Sequence, residues 1–417
     1  LISLGFRFLP VNKRLNPHNK KEVMDLVCAA ISDKKSIEVV GAGSKRDWGR
    51  PNQSSELLNL SQLSNITLYE PQELVMTASA GTPIADIRKI LSDNQQHLAF
   101  EPPDLSLLYG GGKDNGTLGG VVATNLSGPR RIQSGAVRDY CLGFEAISAR
   151  GTEFKSGGRV VKNVTGFDLS KLIAGSFGTL AVMVSITIKI LPKPEKTRTI
   201  LVFGLENERG ISSLSEILNG PYEINAAAHL PAEIAKNSSI SLVNSSQLSV
   251  TAIRLQGSPK SVMARSKEVR TLCRTYGEVE ELHSHNSSDL WKEISEIGSL
   301  LNNKSDQIWR ILVPPSEGAS IVKKIRRYAE CKVYFDWGGG LIWLAADQKL
   351  SGVGSTIRKV LQGTGGHATL MRGSSDLRMS TDVFQPLAPA NKRLTKLIKN
   401  NFDPFGVLNP GRMYEDI

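Results

Sequence analysis

Residues Gly110–Arg131 have the sequence GGGKDNGTLGGVVATNLSGPRR, and the interpretation of the whole chain starts from them. Glycines stand at 110, 111, 112, 116, 119, 120 and 128, around the small apolar run Val121–Thr124. Glycine permits a positive φ, and without a Cβ it lets a ligand lie directly on the peptide groups. Thr117 is a good N-cap residue, so we predict a short helix over LGGVVATN with its first free N–H groups facing an enclosed ligand. Because such groups hold phosphates, the stretch predicts a site for a phosphate-bearing cofactor.

The composition is that of a globular protein with more than one domain. A chain of 417 residues is too long for one compact core, and 40% hydrophobic with 22% charged residues is ordinary usage. The formal net charge is +11, but the basic residues are scattered, and the one dense group, Lys323–Arg327, has the pattern of a solvent-exposed helix face. We predict no nucleic-acid binding, because recognition motifs are absent from the sequence. A mild positive field suits an anionic cofactor and a carboxylate substrate.

The four cysteines are Cys28, Cys141, Cys273 and Cys331, and no two of them form a C-x-x-C pair. We therefore expect neither an iron–sulfur cluster nor a structural zinc on this chain. Dispersed thiols fit a reducing compartment, and no apolar run reaches the roughly 18 residues of a membrane span. The start, LISLGFRFLPVNKR, has neither an initiator Met nor a signal-peptide cleavage site, which predicts a trimmed or incomplete terminus. The sequence predicts a cytoplasmic protein with no membrane span of its own.

A second glycine loop follows the first predicted strand. A one-sided helix over 19–31 precedes a strand at Ser36–Val40, which runs into Gly41-Ala42-Gly43-Ser44-Lys45. This is the order of a phosphate-binding turn, but Arg46 stands where the fingerprint G-x-G-x-x-G has its third glycine. An isolated GAG is equally compatible with a tight turn that binds nothing, so both interpretations stay open.

The rest of the first half is predicted from short patterns. Thr82 is expected to cap a helix with Pro83 at its first position, and Asp168 to cap a second one. The alternation of Leu180–Leu191 predicts a strand with one apolar face. Other predicted elements are strands at 57–60 and 75–78, a rigid segment at 101–104, a hairpin over 142–154 and a strand within 157–166.

Pro192-Lys193-Pro194 breaks the pattern, and we expect the domain boundary there. The second half repeats strand–helix–strand units with few glycine loops, which predicts a smaller antiparallel α+β domain with helices on one face. A polar helix at Ala390–Asn400 and the segment DPFGVLNPGR at 403–412 end the chain. The expected division is 1–194, 195–389 and 390–417.

Several segments resemble, in this order, the FAD-binding domain of vanillyl-alcohol-oxidase-type (PCMH-type) flavoproteins. They are GAGSK at 41–45, EPPD at 101–104, TLGGVVATNLSGPRR at 117–131, GAVRD at 135–139, GGRVVKNVTGFDL at 157–169, GSFGTLAV at 175–182 and DPFGVLNPGR at 403–412. Within that class the chain is similar to the E subunits of bacterial glycolate oxidases, which FDWGGGLIWL at 335–344 and GGHATLMR at 365–372 also resemble. The resemblance implies an α+β fold, with a two-subdomain PCMH-type FAD-binding domain followed by a smaller antiparallel α+β cap domain.

The resemblance also implies which residues bind FAD. The pyrophosphate would lie on Gly41, Ala42, Gly43, Ser44 and Lys45. Thr117, Gly119, Gly120, Asn125 and Ser127 would line the second phosphate and the ribityl chain. Pro103, Thr124, Gly128, Arg138, Gly178 and Val182 complete the set, with Val182 beside the adenine or isoalloxazine edge and the C-terminal NPG returning close to the flavin. The first loop holds no His and Cys141 lies in no attachment motif, so the FAD is expected to be non-covalent.

Catalytic residues cannot be assigned from the sequence. His283-Ser284-His285 lies in a predicted polar loop and is poor as a metal site, because no distant third ligand accompanies it. His367 is interpreted as a structural turn residue in preference to a flavin-side base. Arg130, Arg131 and Arg138 could hold a carboxylate or pair with acidic neighbours or phosphates, and both interpretations stay open. Trp337 and Trp343 are interpreted as core residues.

The function implied by the resemblance is that of an FAD subunit in a complex that oxidises glycolate to glyoxylate. Its implied companions are a larger flavin-binding subunit and an iron–sulfur subunit, through which the complex could associate with the inner face of the plasma membrane. A stand-alone FAD-dependent oxidase or dehydrogenase of another 2-hydroxy acid or alcohol is the first alternative. A non-catalytic structural subunit that keeps the fold is the second, which the intact glycines of both loops disfavour.

Overall fold

The computed structural model describes residues 13–112, 114–158 and 167–417. Its strands are β1 Lys13–Leu15, β2 Ile37–Val40, β3 Glu56–Asn59, β4 Ile66–Glu70, β5 Val75–Ser79, β6 Gln96–His97, β7 Cys141–Ser148, β8 Glu153–Gly157, β9 Ala181–Lys189, β10 Leu191–Pro192, β11 Lys196–Phe203, β12 Ala226–Leu230, β13 Val250–Gly257, β14 Val279–His283, β15 Asp306–Leu312, β16 Lys332–Asp336, β17 Leu341–Asp347 and β18 His367–Arg372. The strand expected within 157–166 falls mainly on residues 159–166, which lie outside the described residues.

Helices occur along the whole described part of the chain. They are α1 Lys20–Ser32, α2 Ile84–Asp93, α3 Ser106–Tyr109, α4 Leu118–Thr124, α5 Arg131–Ser134, α6 Val137–Tyr140, α7 Leu169–Ile173, α8 Asn207–Leu218, α9 Ala232–Ala235, α10 Ser241–Asn244, α11 Pro259–Cys273, α12 Ser284–Ser295, α13 Gly318–Arg326, α14 Val353–Leu361, α15 Ser375–Ser380 and α16 Pro389–Phe402, with short 3₁₀ turns at Leu60–Gln62, Gly298–Leu300, Pro315–Glu317 and Trp337–Gly339. None of the helices in the described part of the chain has the length and apolar character that a bilayer crossing requires.

The first half contains two main sheets with no strand in common. A small parallel sheet has the order β1-β3-β2, and an antiparallel sheet, called here the first-domain sheet, has the order β4-β5-β9-β7-β8. Strand β9 was predicted from its alternation and is confirmed. Val182 and Val184 pack with Val23 and Val27 of α1, whereas Met183 packs into the other core of the same domain. At the start of β9, its two faces therefore belong to two different cores.

The second half is built around one antiparallel sheet, called here the cap sheet, with the order β14-β11-β13-β12-β16-β17-β15-β18. Its strands pair antiparallel, with Ile200 opposite Ile253 and Phe335 opposite Ile342, and the pairing of β15 with β18 shifts in register between Ile308 and Trp309. Helices α8, α11, α12, α13 and α14 pack on this sheet around the largest apolar core of the described residues. The predicted α+β class is confirmed.

Two predicted helix caps are confirmed and one is wrong. The Thr117 side chain accepts a hydrogen bond from Gly120 N at 3.3 Å, and Asp168 caps α7 in the same way through Lys171 N. Helix α2, however, begins after Pro83 and has no side-chain cap. The Thr82 hydroxyl is bonded instead to the backbone N and O of Asn65, at 3.1 and 3.2 Å, because the β5–α2 turn packs on that loop.

The C-terminal segment packs against the first domain. Ile37 N donates to Val407 O at 2.7 Å, and Asn409 N donates to Ile37 O at 2.9 Å, so the segment extends the edge of the parallel sheet. Helix α16 is fixed by the buried Lys399, whose Nζ donates to Thr179 O and Leu408 O at 2.7 and 2.8 Å. Its partner carboxylate, Asp403 Oδ2, lies 2.6 Å away.

Candidate functional site

A narrow cleft lies where the loop after β2 meets helix α4, strand β9 and the C-terminal segment. Most of the predicted site residues line it, namely Gly41, Ala42, Gly43, Ser44, Lys45, Thr117, Gly119, Gly120, Thr124 and Gly178. Two loops that are more than 70 residues apart in sequence thus form opposite walls of one cleft. The floor is formed by Ala181 and Met183 of β9.

The remaining predicted residues lie outside this cleft. Pro103 lines a small adjoining cavity that it shares with Lys45. Val182 is fully buried and faces the core beside α1, because side chains alternate along β9 and its neighbours Ala181 and Met183 take the cleft face. The prediction for this strand identified the right element and the wrong face.

Four further predicted residues lie outside the cleft, namely Asn125, Ser127, Gly128 and Arg138. Their contacts fix the backbone around the segment that follows α4. Asn125 Oδ1 accepts from Arg138 N, and Ser127 Oγ accepts from Val137 N, both at 3.1 Å. Gly128 N donates to Phe100 O at 2.9 Å, and a Cβ on Gly128 would lie 2.3 Å from Glu101 O. The Arg138 side chain is exposed, 3.9 Å from Asp139. In this structure the four positions have a structural role outside the cleft wall.

The backbone N–H groups of the first loop are available to a ligand. Within the described part of the chain, the N–H groups of Ala42, Gly43, Ser44 and Lys45 donate no hydrogen bond to the protein. Gly43 has φ +80°, a conformation that glycine adopts without strain. Consecutive unpaired N–H groups in a turn form a concavity that binds anions. The loop therefore has the backbone chemistry of a phosphate site.

The N-terminus of α4 does not have the chemistry that the sequence predicted. Thr117 caps the helix as expected, since its Oγ1 accepts from Gly120 N at 3.3 Å. The next N–H groups are also used, because Leu118 N donates to Thr82 O at 2.9 Å and Gly119 N to Ala80 O at 2.7 Å. The prediction of free N–H groups at this helix end is wrong. These N–H groups are bonded to the β5–α2 turn, a contact between distant segments that the local sequence does not show.

Three cations line the cleft, and Arg46 and Arg412 lie beside the Glu38 carboxylate whereas Lys45 does not. Lys45 Nζ contacts Ser44 Oγ at 3.4 Å, and no carboxylate lies within ion-pair distance among the described residues. Burial lowers the pKa of Lys45 to about 8, and the charge of Asp104 opposes that shift only partly. Burial makes the charged form of Lys45 unfavourable, so a bound anion would stabilise the ammonium group.

Two close backbone contacts leave no room for a side chain, one between the first loop and Thr117 and one between α4 and the β5–α2 turn. A Cβ on Gly41 would lie 2.2 Å from Thr117 Oγ1, and a Cβ on Gly119 would lie 2.8 Å from Ala80 O. These glycines are needed for space, because neither has a positive φ. At these glycines the cleft wall consists of peptide groups.

Several cleft residues were missed by the sequence analysis. Glu38 on β2 is almost fully buried and makes a bidentate pair with Arg46, at 2.9 and 2.6 Å. Arg412 Nη2 donates to Lys45 O and Arg46 O, at 3.1 and 2.7 Å, and so ties the first loop to the C-terminal segment. Asn409 bridges Val39 N and Phe177 O. Glu38 could have been found from the sequence, because it is a carboxylate inside a four-residue apolar strand. Asn409 and Arg412 belong to the NPGR segment that the sequence analysis quoted.

The structure also places the other residues that the sequence analysis discussed. Trp337 is buried, and its Nε1 donates to Gly128 O at 3.1 Å. The guanidinium of Arg131 lies 4.5 Å from the centre of the Trp337 ring. His283 ends β14 and His285 lies in the first turn of α12, so the predicted polar loop is wrong. His367 is exposed at the start of β18, and Trp343 is buried.

Comparison with solved structures gives the class of the fold. The chain superposes on p-cresol methylhydroxylase with a TM-score of 0.70 at 13% identity, covering 97% of this chain and 88% of that one. It superposes on an alkyldihydroxyacetonephosphate synthase, also with a TM-score of 0.70, at 14% identity over 95% of this chain and 75% of that one. The family model described as "FAD binding domain" matches residues 13–157. These likenesses define a PCMH-type FAD-binding fold, and FAD is the cofactor of this class.

Curated relatives give the family. Glycolate oxidase subunit GlcE of Escherichia coli (strain K12) is 31% identical over 395 residues, which cover 95% of this chain and 97% of that protein. Glycolate oxidase subunit GlcD of Bacillus subtilis (strain 168) is 24% identical, with coverage of 95% and 88%. A D-lactate dehydrogenase of Archaeoglobus fulgidus is 23% identical, with coverage of 96% and 90%. The chain belongs to the family of FAD-linked oxidoreductases that contains glycolate oxidase subunit GlcE.

The cleft fits the cofactor of this family. A dinucleotide diphosphate needs donors and a positive charge, and the cleft offers the unpaired N–H groups of Ala42–Lys45 together with the Lys45 ammonium. The absence of Cβ atoms at Gly41 and Gly120 leaves peptide surface on both walls. Phe177 and Met183 supply apolar surface to the cleft, which Asn409 also lines.

Proposed function

We propose that this chain is the FAD-binding subunit of a complex that oxidises glycolate to glyoxylate. The observation that carries the proposal is the anion-binding first loop with its unpaired Lys45, opposite the wall formed by α4. The substrate comes from the similarity to a glycolate oxidase subunit along nearly the whole chain. We also propose the division into an FAD-binding domain (1–194), a cap domain (195–389) and a C-terminal segment (390–417) that returns to the first domain.

The residues of the cleft have separate tasks in this proposal. The N–H groups of Ala42, Gly43, Ser44 and Lys45 hold the pyrophosphate oxygens, and the Lys45 ammonium offsets their charge. Gly120, Thr124, Phe177 and Gly178 also line the cleft and would contact the rest of the cofactor. When bound, FAD supplies the two-electron oxidation of a CH–OH group. The chain's own contribution is to hold the cofactor in a fixed position and to keep water away from it.

We propose that FAD is held without a covalent bond. Cys141 is buried on β7, and its Sγ lies 3.8 Å from Gly143 O. Burial raises the pKa of this thiol to about 12, so it is not a nucleophile at neutral pH. No His stands in the first loop, Gly41–Lys45.

The proposed partners are a larger flavin-binding subunit and an iron–sulfur subunit. Electrons that leave a flavin singly need a one-electron acceptor, and this chain has no C-x-x-C pair for a cluster. A separate iron–sulfur chain would supply that acceptor. We propose a cytoplasmic location for the assembly, in contact with the inner face of the plasma membrane through its partners.

The visible absorbance spectrum of the purified chain tests the proposal. We expect a flavin band, which denaturation releases as free FAD, and we expect the Lys45→Met variant to bind less FAD. Anaerobic glycolate is then added to this chain alone and to the chain with its co-expressed partners. We expect glycolate to bleach the flavin band when the partners are present. Bleaching and steady turnover by the isolated chain would support the stand-alone enzyme, and no flavin after reconstitution would refute the cofactor assignment.

A further inference from the structure

Helix α16 presents an apolar surface to solvent, called here the α16 stripe and formed by Arg393, Leu394, Leu397 and Asn401. Leu394 is 57% exposed and Leu397 is 54% exposed, and their spacing of three residues places them on one face of the helix. Arg393 and Asn401 are exposed on the same face, one turn before and one turn after Leu397. Phe405, three residues beyond the end of the helix, is 60% exposed. Large apolar side chains grouped in this way mark a candidate contact surface.

The opposite face of α16 is fixed to the first domain. Ile398 and Phe402 pack against the apolar core of the first-domain sheet, where the Phe402 ring lies 6.3 Å from the ring of Phe154. Lys399 Nζ lies 2.6 Å from Asp403 Oδ2, and both side chains are buried. The stripe is therefore carried by a helix that is held in place on its other side, which is the condition for a precise contact surface.

The lysines of α16 disfavour a lipid surface as the occupant of the stripe. A helix that lies on a membrane has cations free to interact with lipid headgroups beside its apolar face. Lys392 and Lys396 both bind Asp416 Oδ2, at 3.0 and 2.6 Å, and Lys399 binds Asp403. The three lysines of this helix are therefore already paired with carboxylates of the same chain.

The charge of α16 also disfavours a second copy of this chain. The helix has four cations and no acidic residue between 389 and 402. A symmetric dimer brings the same surface of both copies together. Each copy would then contribute Arg393 and no carboxylate of the helix to receive it, and like charges at an interface are unfavourable.

Two arginines at the ends of the stripe identify the chemistry of its occupant. Arg393 lies at one end, and at the other end Arg150 Nη2 donates to Asn401 O at 3.2 Å. Neither arginine has a carboxylate within ion-pair distance in the described part of the chain. Arg393 and Asn401 are separated by about 12 Å along the helix axis, so the two leucines lie between two cations. An apolar centre with arginines beside it is the usual anatomy of a protein–protein interface.

We propose that the α16 stripe docks a companion protein subunit whose surface has an apolar centre and carboxylates at its rim. The apolar centre packs on Leu394 and Leu397, and the carboxylates bind Arg393 and Arg150. This proposal rests on the proposed function, which gives the chain two companion subunits. It adds the surface of this chain on which a companion assembles.

Co-purification tests the proposal. The tagged chain is co-expressed with the larger flavin-binding subunit and the iron–sulfur subunit, and the amount of companion protein retained is measured at low and at high salt. Leu397→Glu places a charge in the apolar centre, so it should lower retention at least about tenfold. Arg393→Glu should lower retention about threefold at low salt and much less at high salt, because salt screens exposed charge pairs.

Met263→Glu is the matched control, because Met263 is 61% exposed on α11 of the cap and the substitution changes the net charge equally. Loss of a companion in Leu397→Glu, with full retention in Met263→Glu, would support the proposal. Equal retention in these two variants, or no retention by the wild type, would overturn it.

Two measurements on the isolated chain distinguish the other occupants. Sedimentation with vesicles of phosphatidylcholine and phosphatidylglycerol, abolished by Leu397→Glu, would assign the stripe to lipid and overturn the proposal. A dimer in sedimentation velocity that the same variant dissociates would assign it to a second copy and also overturn the proposal. The flavin content of every chain is measured in parallel. Retention of a companion that depends on Leu397 supports the proposal with or without flavin, so its failure is distinguished from failure of the cofactor assignment.

Discussion

The contact between Gly41 and Thr117 gives a sharp test of how the cleft is built. A Cβ on Gly41 would lie 2.2 Å from Thr117 Oγ1, and the same oxygen caps α4 by accepting from Gly120 N. In a Gly41→Ala variant the hydroxyl must move, which removes the cap. Overpacking costs about 1–3 kcal/mol and a lost cap about 1 kcal/mol, so the variant should lose about 2–4 kcal/mol of unfolding free energy.

A Thr117→Ala background should relieve most of this cost. Thr117→Ala alone should lose about 1 kcal/mol, the value of the cap. In the double variant the nearest atom of residue 117 is its Cβ, at 3.1 Å, so Gly41→Ala should add only about 1 kcal/mol further. The expected coupling between the two sites, about 1–3 kcal/mol, is in the range for residues in contact.

Urea unfolding followed by circular dichroism measures all four chains, and the flavin absorbance of each reports cofactor retention. Gly111→Ala is the control inside the same glycine-rich stretch as Thr117, because a Cβ there meets nothing within 4 Å and its φ is not positive. It should change the free energy by less than about 0.5 kcal/mol. Equal costs of Gly41→Ala in both backgrounds would refute the interlocking of the two loops.

Three further predictions concern buried charges. Lys45→Met should stabilise the FAD-free chain at pH 7 by about 1 kcal/mol, because the native pKa of Lys45, about 8, lies below its unfolded value of 10.5. The wild type gains stability as the pH rises from 8 to 10.5, so urea titrations should show no difference between variant and wild type by pH 11. The unfolding free energy of Asp336→Asn should gain up to about 4 kcal/mol over that of the wild type as the pH rises from 4 to 7. Burial raises the pKa of Asp336 to about 7, so the wild type loses stability across that range. A difference that stays constant with pH would contradict this prediction. Lys399→Met should cost about 3–5 kcal/mol in urea unfolding, since Asp403 is left buried without its partner, and Lys399→Met with Asp403→Asn should cost less.

Local sequence signals predicted the elements that depend on local chemistry. The alternation of β9 and the Thr117 and Asp168 caps depend on neighbouring residues, and all three are confirmed. The wrong predictions depend on contacts between distant segments. Thr82 has the composition of an N-cap, but Asn65 takes its hydroxyl. The polar residues after His283 have no apolar run before Leu290, so the start of α12 was not visible.

The glycine-rich stretch shows the same limit inside the candidate site. Its composition indicated close backbone approach, and the structure has that approach at Gly119 and Gly128. Composition cannot tell whether the neighbour is a ligand or the protein. At Gly119 the neighbour is Ala80 O, and at Gly128 it is Glu101 O, so both glycines serve packing between segments of the first domain.

This division of roles explains why the anion-binding groups lie on the first loop. The first turn of α4 is bonded to Ala80 and Thr82, and a turn whose N–H groups are already used can only form a wall. Gly41 has no Cβ, which lets the Ala42–Lys45 loop lie over that wall with its own N–H groups free. Docking α4 on the β5–α2 turn and binding an anion are therefore assigned to different loops. Substitution of Gly119 should disturb folding first, whereas substitution of Gly43, whose φ is +80°, should disturb the loop and cofactor binding first.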